Sequence, residues 1–197
     1  MAITCGVTQG RTIDCADVVG GLKAVYFAAS FQDLPVVADV TDGVMSELPA
    51  DDGSSTGSYN VYRYELRPEL SSMTINIQGD TNNGTVFYEQ SLSLQFHKLV
   101  SGDADKIVEL AKGRLNTFVL DNNDNLYVLG AENGLDLSGG NLTTGTSFGD
   151  ANGFQLELSG RELYPVYFFT APSDPSAATF PFDGTGATLA GVTAVVN

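Results

Sequence analysis

Met73-Thr74-Ile75-Asn76-Ile77-Gln78 and, a short way on, Ser91-Leu92-Ser93-Leu94-Gln95-Phe96-His97 decide the fold. In each stretch apolar and polar residues alternate strictly. A strand points successive side chains to opposite faces, so Met73, Ile75, Ile77, Leu92, Leu94 and Phe96 share the packed side of a half-buried antiparallel pair. The opposite side carries Thr74, Asn76, Gln78, Ser91, Ser93 and Gln95, polar but uncharged. Between the stretches lies Gly79-Asp80-Thr81-Asn82-Asn83-Gly84, rich in residues that tolerate positive φ, which predicts a hairpin.

Working outward, the same period recurs. Tyr62, Tyr64 and Leu66 fall on one face of Tyr59–Leu66, and Phe154-Gln155-Leu156-Glu157-Leu158 alternates again. Asn116–Leu120 and Leu126–Gly130 flank the polar run Asp121-Asn122-Asn123-Asp124-Asn125, a strand, turn and strand. Leu163–Phe169 is expected to be the last core strand. A single helix is expected after residue 100, capped by Ser101 or Asp103, striped by Ala104, Ile107, Val108 and Ala111, and ended by Gly113. The fold class is therefore mainly β: an antiparallel sandwich or barrel with one flanking helix.

Three segments read as assembly arms on one domain spanning 1–170. Residues 1–21 lack apolar periodicity and end in Gly20-Gly21. Residues 39–58 scatter Asp39, Asp42, Glu47, Asp51 and Asp52 among glycine and serine, an acidic loop. Residues 171–197 form a C-terminal extension without charge after Asp183, and Gly191–Val196 has the chemistry to pair with a strand edge. Long stretches of this kind in compact domains usually serve a function or are disordered.

Twenty-four acidic side chains face nine basic ones, a formal charge of −15, with no Lys or Arg between Lys23 and Arg63 or after Arg161. Such a surface repels nucleic-acid phosphate and anionic lipid. It serves either plain solubility or the passage of a polyanion that must not stick. No run of about 20 apolar residues suits a membrane helix, and the first residues have no secretory pattern. Asn83 and Asn141 are therefore expected in turns. Cys5 and Cys15 are either small buried hydrophobes or a single bridge.

Catalytic chemistry finds little purchase. His97 is the only histidine and sits at a strand end. No nucleophile elbow, P-loop or His-Glu-x-x-His motif occurs, and no spacing fixes two carboxylates in one cleft. Asp121-x-Asn123-x-Asn125 with Glu132 imitates a calcium loop, but Leu126 stands where glycine belongs, so a tight β-turn is the expectation. Neither an enzyme nor a cofactor is expected.

In the order of its elements the chain resembles the tail tube (major tail) proteins of tailed bacteriophages. The residues that carry the resemblance are Cys15–Tyr26, Tyr64-Glu65-Leu66, Gly84–Gln90 leading into an alternating strand, the helix, Leu120–Gly130, and Gly145–Glu162. It covers roughly residues 1–169. The resemblance implies six copies in a ring, with rings stacked into a hollow conduit through which double-stranded DNA passes unbound. Sheath, baseplate and tail terminator proteins would be partners, and the location would be the virion tail, assembled in the host cytoplasm. Thr74, Asn76, Gln78, Asp80, Glu89, Ser91, Ser93 and Gln95 would line the bore, with Asp80 or Glu89 supplying its negative potential. Arg11, Cys15, Asp39, Asp42, Glu47, Asp51 and Asp52 would meet neighbouring subunits, Arg11 as an ion pair with the acidic loop. A capsid decoration or head-tail connector protein is the alternative. A carbohydrate-binding adhesive sandwich is another, and would use Tyr59, Tyr62 and Tyr64 as exposed platforms.

Overall fold

The computed structural model describes residues 18–28, 31, 40–41, 43–45, 60–80, 82–169, 181–182 and 191–194. Two sheets and one helix account for the described residues, a mainly β fold of the sandwich kind. The larger sheet is built from β1 (Leu22–Ala28), β2 (Val40–Thr41), β3 (Val44–Met45), β4 (Asn60–Glu65), β7 (Thr117–Asp121), β8 (Leu126–Leu129), β11 (Tyr167–Phe169) and β12 (Gly191–Ala194). Its spatial order is β12-β4-β1-β7-β8-β11-β3-β2. The smaller sheet contains β5 (Ser72–Asp80), β6 (Thr85–His97), β9 (Asp136–Thr143) and β10 (Gly153–Glu162), in the order β5-β6-β10-β9. Helix α1 (Asp103–Lys112) follows β6.

The hairpin predicted from the alternating stretches is β5–β6, in register from Ser72 opposite Ser93 to Asp80 opposite Thr85. Its packed side meets the larger sheet. Leu92, Leu94, Leu156 and Leu158 from the small sheet are buried with Val25, Phe27, Val119 and Leu129 from the large one. Full burial of each such side chain is worth about 1.5–3 kcal/mol relative to exposure. The far face of the large sheet is buried too, around Ala24, Tyr26, Phe118 and Val128. Strand β1 is therefore covered on both sides, and Leu-Lys-Ala-Val-Tyr-Phe-Ala carries an apolar run instead of alternating.

Several expectations need correction. Tyr64 and Leu66 do face the core, but Val61 on the opposite side of β4 is fully buried as well, because the sheet has cover on both faces. The helix turns differently from its predicted stripe: Asp103, Ile107 and Leu110 face inward, whereas Ala104, Val108 and Ala111 are exposed. Leu110 and Ile107 remove more apolar area from water than two alanines would, and they set the rotation. Neither Ser101 nor Asp103 caps the helix. Gly102 occupies the N-cap in the left-handed region (φ 99°), and the Asp103 carboxylate instead accepts the Val100 N–H at 2.7 Å. Gly113 does follow the last turn.

The last core strand shrinks to Tyr167–Phe169, preceded by Pro165, which lacks the N–H a ladder requires. Strands β2 and β3 lie within the segment expected to be an acidic loop, and Met45 is fully buried. From the C-terminal segment, Phe182 packs edge-on against Tyr26, Phe118 and Phe169. Residues 191–194 do pair with an edge, parallel to β4 of the same chain, Gly191 opposite Asn60.

Candidate assembly surface

Antiparallel register decides which side chains share the outer face of the small sheet. Thr74 stands opposite Ser91, Asn76 opposite Glu89, and Asp80 opposite Thr85; Ser93 and Gln95 continue the row along β6. All eight residues expected on one polar surface therefore lie on one face. The face is wider than the hairpin. Glu157 pairs with Ser93, Gln155 with Gln95, Ser159 with Ser91 and Arg161 with Glu89, while Asn141 and Gly139 on β9 extend it beyond Gln155 and Glu157. A bulge between Glu157 and Leu158 interrupts the β10–β9 register.

Hydroxyls and amides dominate this face. Ser72, Thr74, Ser91, Ser93, Ser138 and Ser159 line a shallow depression with Glu157. Ser138 Oγ donates to the Glu157 carbonyl at 3.0 Å, and the Gln155 amide reaches Ser93 Oγ at 3.4 Å. The charge distribution differs from the sequence expectation. Glu89 lies 3.9 Å from the Arg161 guanidinium, which offsets its charge. Glu157, outside the hairpin, adds a carboxylate at the centre of the face. The pairing of β10 with β6 was not assigned from the sequence, although the alternation at 154–158 marked the strand.

Both margins of the sheet are open. Among the described residues, β5 has no partner on the side away from β6, and β9 none on the side away from β10. Such rows of free N–H and C=O groups invite another strand. Nine and eight residues long, they could accept a strand of comparable length.

Beneath the face, buried polar groups fix the small sheet to the large one. Gln90 Nε2 donates to the Pro165 carbonyl (2.9 Å), and its Oε1 accepts the Gly130 N–H (2.8 Å). Asn116 Nδ2 donates to the Gly130 carbonyl at 2.7 Å. At the end of β10, buried Glu162 accepts the Glu132 and Asn133 N–H groups at 3.3 and 2.9 Å. Burial pushes its carboxyl above the usual range; those N–H groups oppose the rise and the Glu132 charge adds to it.

The β7–β8 turn organises the root of the N-terminal arm. Asp121 Oδ1 accepts the N–H groups of Asn123 and Asn125, both at 2.8 Å, and Oδ2 accepts both asparagine amides and the Tyr127 hydroxyl. This is the tight turn expected there, and Glu132 turns away to accept the Tyr167 hydroxyl. Thus oriented, Asn123 brackets Val19, accepting its N–H (2.9 Å) and donating to its carbonyl (2.8 Å). Asn122 donates to the Gly20 carbonyl at 2.7 Å, and Lys23 pairs with Asp124.

Arg11, Cys15, Asp39, Asp42, Glu47, Asp51 and Asp52, expected at contacts between subunits, lie outside the described residues, as does Tyr59. Tyr62 is exposed, but Tyr64 packs edge-on between Phe27 and Phe96 and forms no platform. His97 is exposed where β6 ends.

No family model matches the chain, and no curated protein does. Among solved structures, a chain from the virion of a native gene transfer agent particle is similar over 55% of this chain and 89% of its own, at 6% identity and a TM-score of 0.35. A likeness of that size carries no argument about fold or function.

Proposed function

We propose that this chain is a non-catalytic structural subunit of a virion, forming the tail tube: six copies close a ring, and rings stack into a conduit for double-stranded DNA. The observation that carries the reading is the small sheet, whose outer face is mostly polar with carboxylates in excess of its one arginine and whose two margins, among the described residues, are open. Joining the β5 edge of one copy to the β9 edge of the next is a head-to-tail contact, and such contacts generate closed rings when the rotation closes. Closure would remove both open edges. That side would then line a bore within an acidic protein, a surface whose one cation, Arg161, is outnumbered by carboxylates.

Negative-stain electron microscopy of the purified full chain over a range of concentrations tests this reading. Rings or tubes with a central hole are expected. Particles that stay monomeric at every concentration and bind purified capsids would overturn it in favour of a decoration protein.

A further inference from the structure

Opposite ends of the small sheet carry exposed apolar groups. At one end β6 finishes at His97, beside the start of β10 and the end of β9, since Gly153 pairs with both His97 and Thr143. The β9–β10 loop projects there. It is built, not slack: Asp150 Oδ2 accepts the Thr146 and Ser147 N–H groups at 2.8 and 2.7 Å and the Thr146 hydroxyl at 3.1 Å. The Asp150 N–H in turn donates to the Ser147 carbonyl at 3.1 Å. Gly145 turns the chain at φ 69°, where a Cβ would stand 2.5 Å from that of Asp150. At the tip this framework holds Phe148 entirely in water, with a relative exposure of 115%. Exposing a phenylalanine forgoes a large burial term, and a braced loop gives it no room to fold back.

At the other end, roughly 40 Å away along β6, the β5–β6 hairpin runs past the last rung of β10, Glu162 opposite Tyr88. The overhang leaves Ile77 (71% exposed) and Val86 (57%) diagonal to one another on its core side, and Leu163 (72%) leaves β10 at the same level. Each end also carries a charge that forms no salt bridge among the described residues. Lys98 adjoins the Phe148 loop, its N–H donating to the Asn152 carbonyl, and Arg67 lies in the β4–β5 connection near the same end. Neither forms a salt bridge among the described residues, unlike Lys23, Arg63, Lys106 and Arg161. Asp80 stands at the hairpin tip, also without a cation. Two like ends brought together would oppose Lys98 to its own copy; unlike ends bring it to Asp80. A membrane is a poor occupant for Phe148, because a chain of charge −15 is repelled by anionic lipid.

We infer that a second copy of this chain covers Phe148: the Phe148 loop of one molecule docks on the Ile77–Val86 overhang of the next, with Lys98 beside Asp80. The contact is head-to-tail along the strands and so extends into a filament wherever its rotation does not close. It rests on the tube reading only in that it supplies the axial joint between rings.

Two experiments on the full chain test it. Phe148→Ser should raise the protein concentration needed for stacking at least about tenfold, as loss of a central aromatic anchor does, while single rings persist. Separately, with Cys5 and Cys15 replaced by serine, Gly149→Cys protein, which keeps Phe148 and has open space for the new side chain, is mixed with Val86→Cys protein under mild oxidation. A disulfide-linked pair should form well above the level seen with Val108→Cys, which sits exposed on α1. Stacking of the Phe148→Ser protein at wild-type concentrations, or cross-linking no greater than the Val108→Cys control, overturns the contact. Absence of rings from the wild-type protein would instead count against the tube, and the cross-link would still decide the contact.

Discussion

Replacing Asp121 with alanine is expected to cost about 2–4 kcal/mol and to free the root of the N-terminal arm. The carboxylate is buried and takes five hydrogen bonds within the β7–β8 turn. Hydrogen bonds to a charged group contribute about 1.5–3 kcal/mol each, but water can replace part of what a turn at the surface loses. The two backbone bonds, to Asn123 and Asn125, dominate the sum because no side-chain rotation can re-satisfy those N–H groups. Stability should be measured by urea unfolding at pH 7, below the concentration of assembly, alongside hydrogen exchange at Val19. That amide should lose protection, since Asn123 no longer holds its angle. The sign of the pH dependence is fixed as well. Burial alone would raise the Asp121 carboxyl, yet the hydrogen bonds from Asn125 and Asn123 outweigh it and hold it below the usual range. Its contribution is therefore present above the unfolded value of about 3.9 and disappears as the pH falls through the lower folded value. Wild type and variant should converge in strong acid. A loss below about 0.5 kcal/mol at pH 7 with Val19 still protected would refute the reasoning.

Other perturbations follow from single observations. Among the described residues the buried Tyr26 hydroxyl has no hydrogen-bond partner, and burial raises its pKa to about 12; Tyr26→Phe should stabilise by about 1 kcal/mol in thermal or urea unfolding. Glu162 behaves oppositely to Asp121. Its raised carboxyl favours the folded state most below the unfolded value of about 4.3 and loses that contribution as the pH rises through the folded value. The stability difference between wild type and Glu162→Gln should therefore shift in favour of wild type on acidification from pH 7 to 4.5. At Gly153 a Cβ would collide with the Phe96 carbonyl, so Gly153→Ala should cost at least about 2 kcal/mol. Gly113→Ala, with open space around it, should change stability by under about 0.5 kcal/mol. On the outer face, Gln78→Lys should leave the unfolding midpoint unchanged but make assembled protein retard double-stranded DNA at low salt. Asn76→Lys should do so less, because Glu89 lies directly across from it.

The fold was most legible where one side of a strand is wet. Residues 73–97 and 154–158 alternate because one face packs and the other does not, and both proved to be strands of the small sheet. Where cover lies on both faces the period vanishes, which is why β1 showed no alternation and Val61 looked outward. Strand β9 was missed because Gly139 and Gly140 have poor strand propensity; the Gly140 site leaves only 2.6 Å between a Cβ and the Gln155 carbonyl. The helix was found but rotated, since the stripe rule weighs alanine and leucine alike. On the outer face, the hairpin residues could be placed from period two alone. Glu157 and Arg161 could not, because only long-range pairing puts β10 beside β6.

That pairing changes how the face would treat a polyanion passing through the proposed tube. Along the hairpin alone, Asp80 and Glu89 would be its two charges. With β10 in place, Arg161 sits across from Glu89, 3.9 Å away, and lies 5.7 Å from the centre of the Phe87 ring, while most of its side chain stays in water. The nearby Glu89 carboxylate partly offsets that cation, and Glu157 forms no salt bridge among the described residues. The face as a whole has four carboxylates, Asp80, Glu89, Asp136 and Glu157, against one arginine, set among serine, threonine, asparagine and glutamine. Hydroxyls and amides give water ordinary partners, and the excess carboxylate keeps phosphate at a distance. Removing Arg161 would sharpen the repulsion but release Glu89; removing Glu89 would free a cation in the middle of the row. In the proposed conduit the second change would be the damaging one, because a single cation per copy, repeated around a ring, would make a belt on which DNA can pause. Glu89→Gln should therefore slow DNA release more than Arg161→Gln, although the two substitutions break the same ion pair.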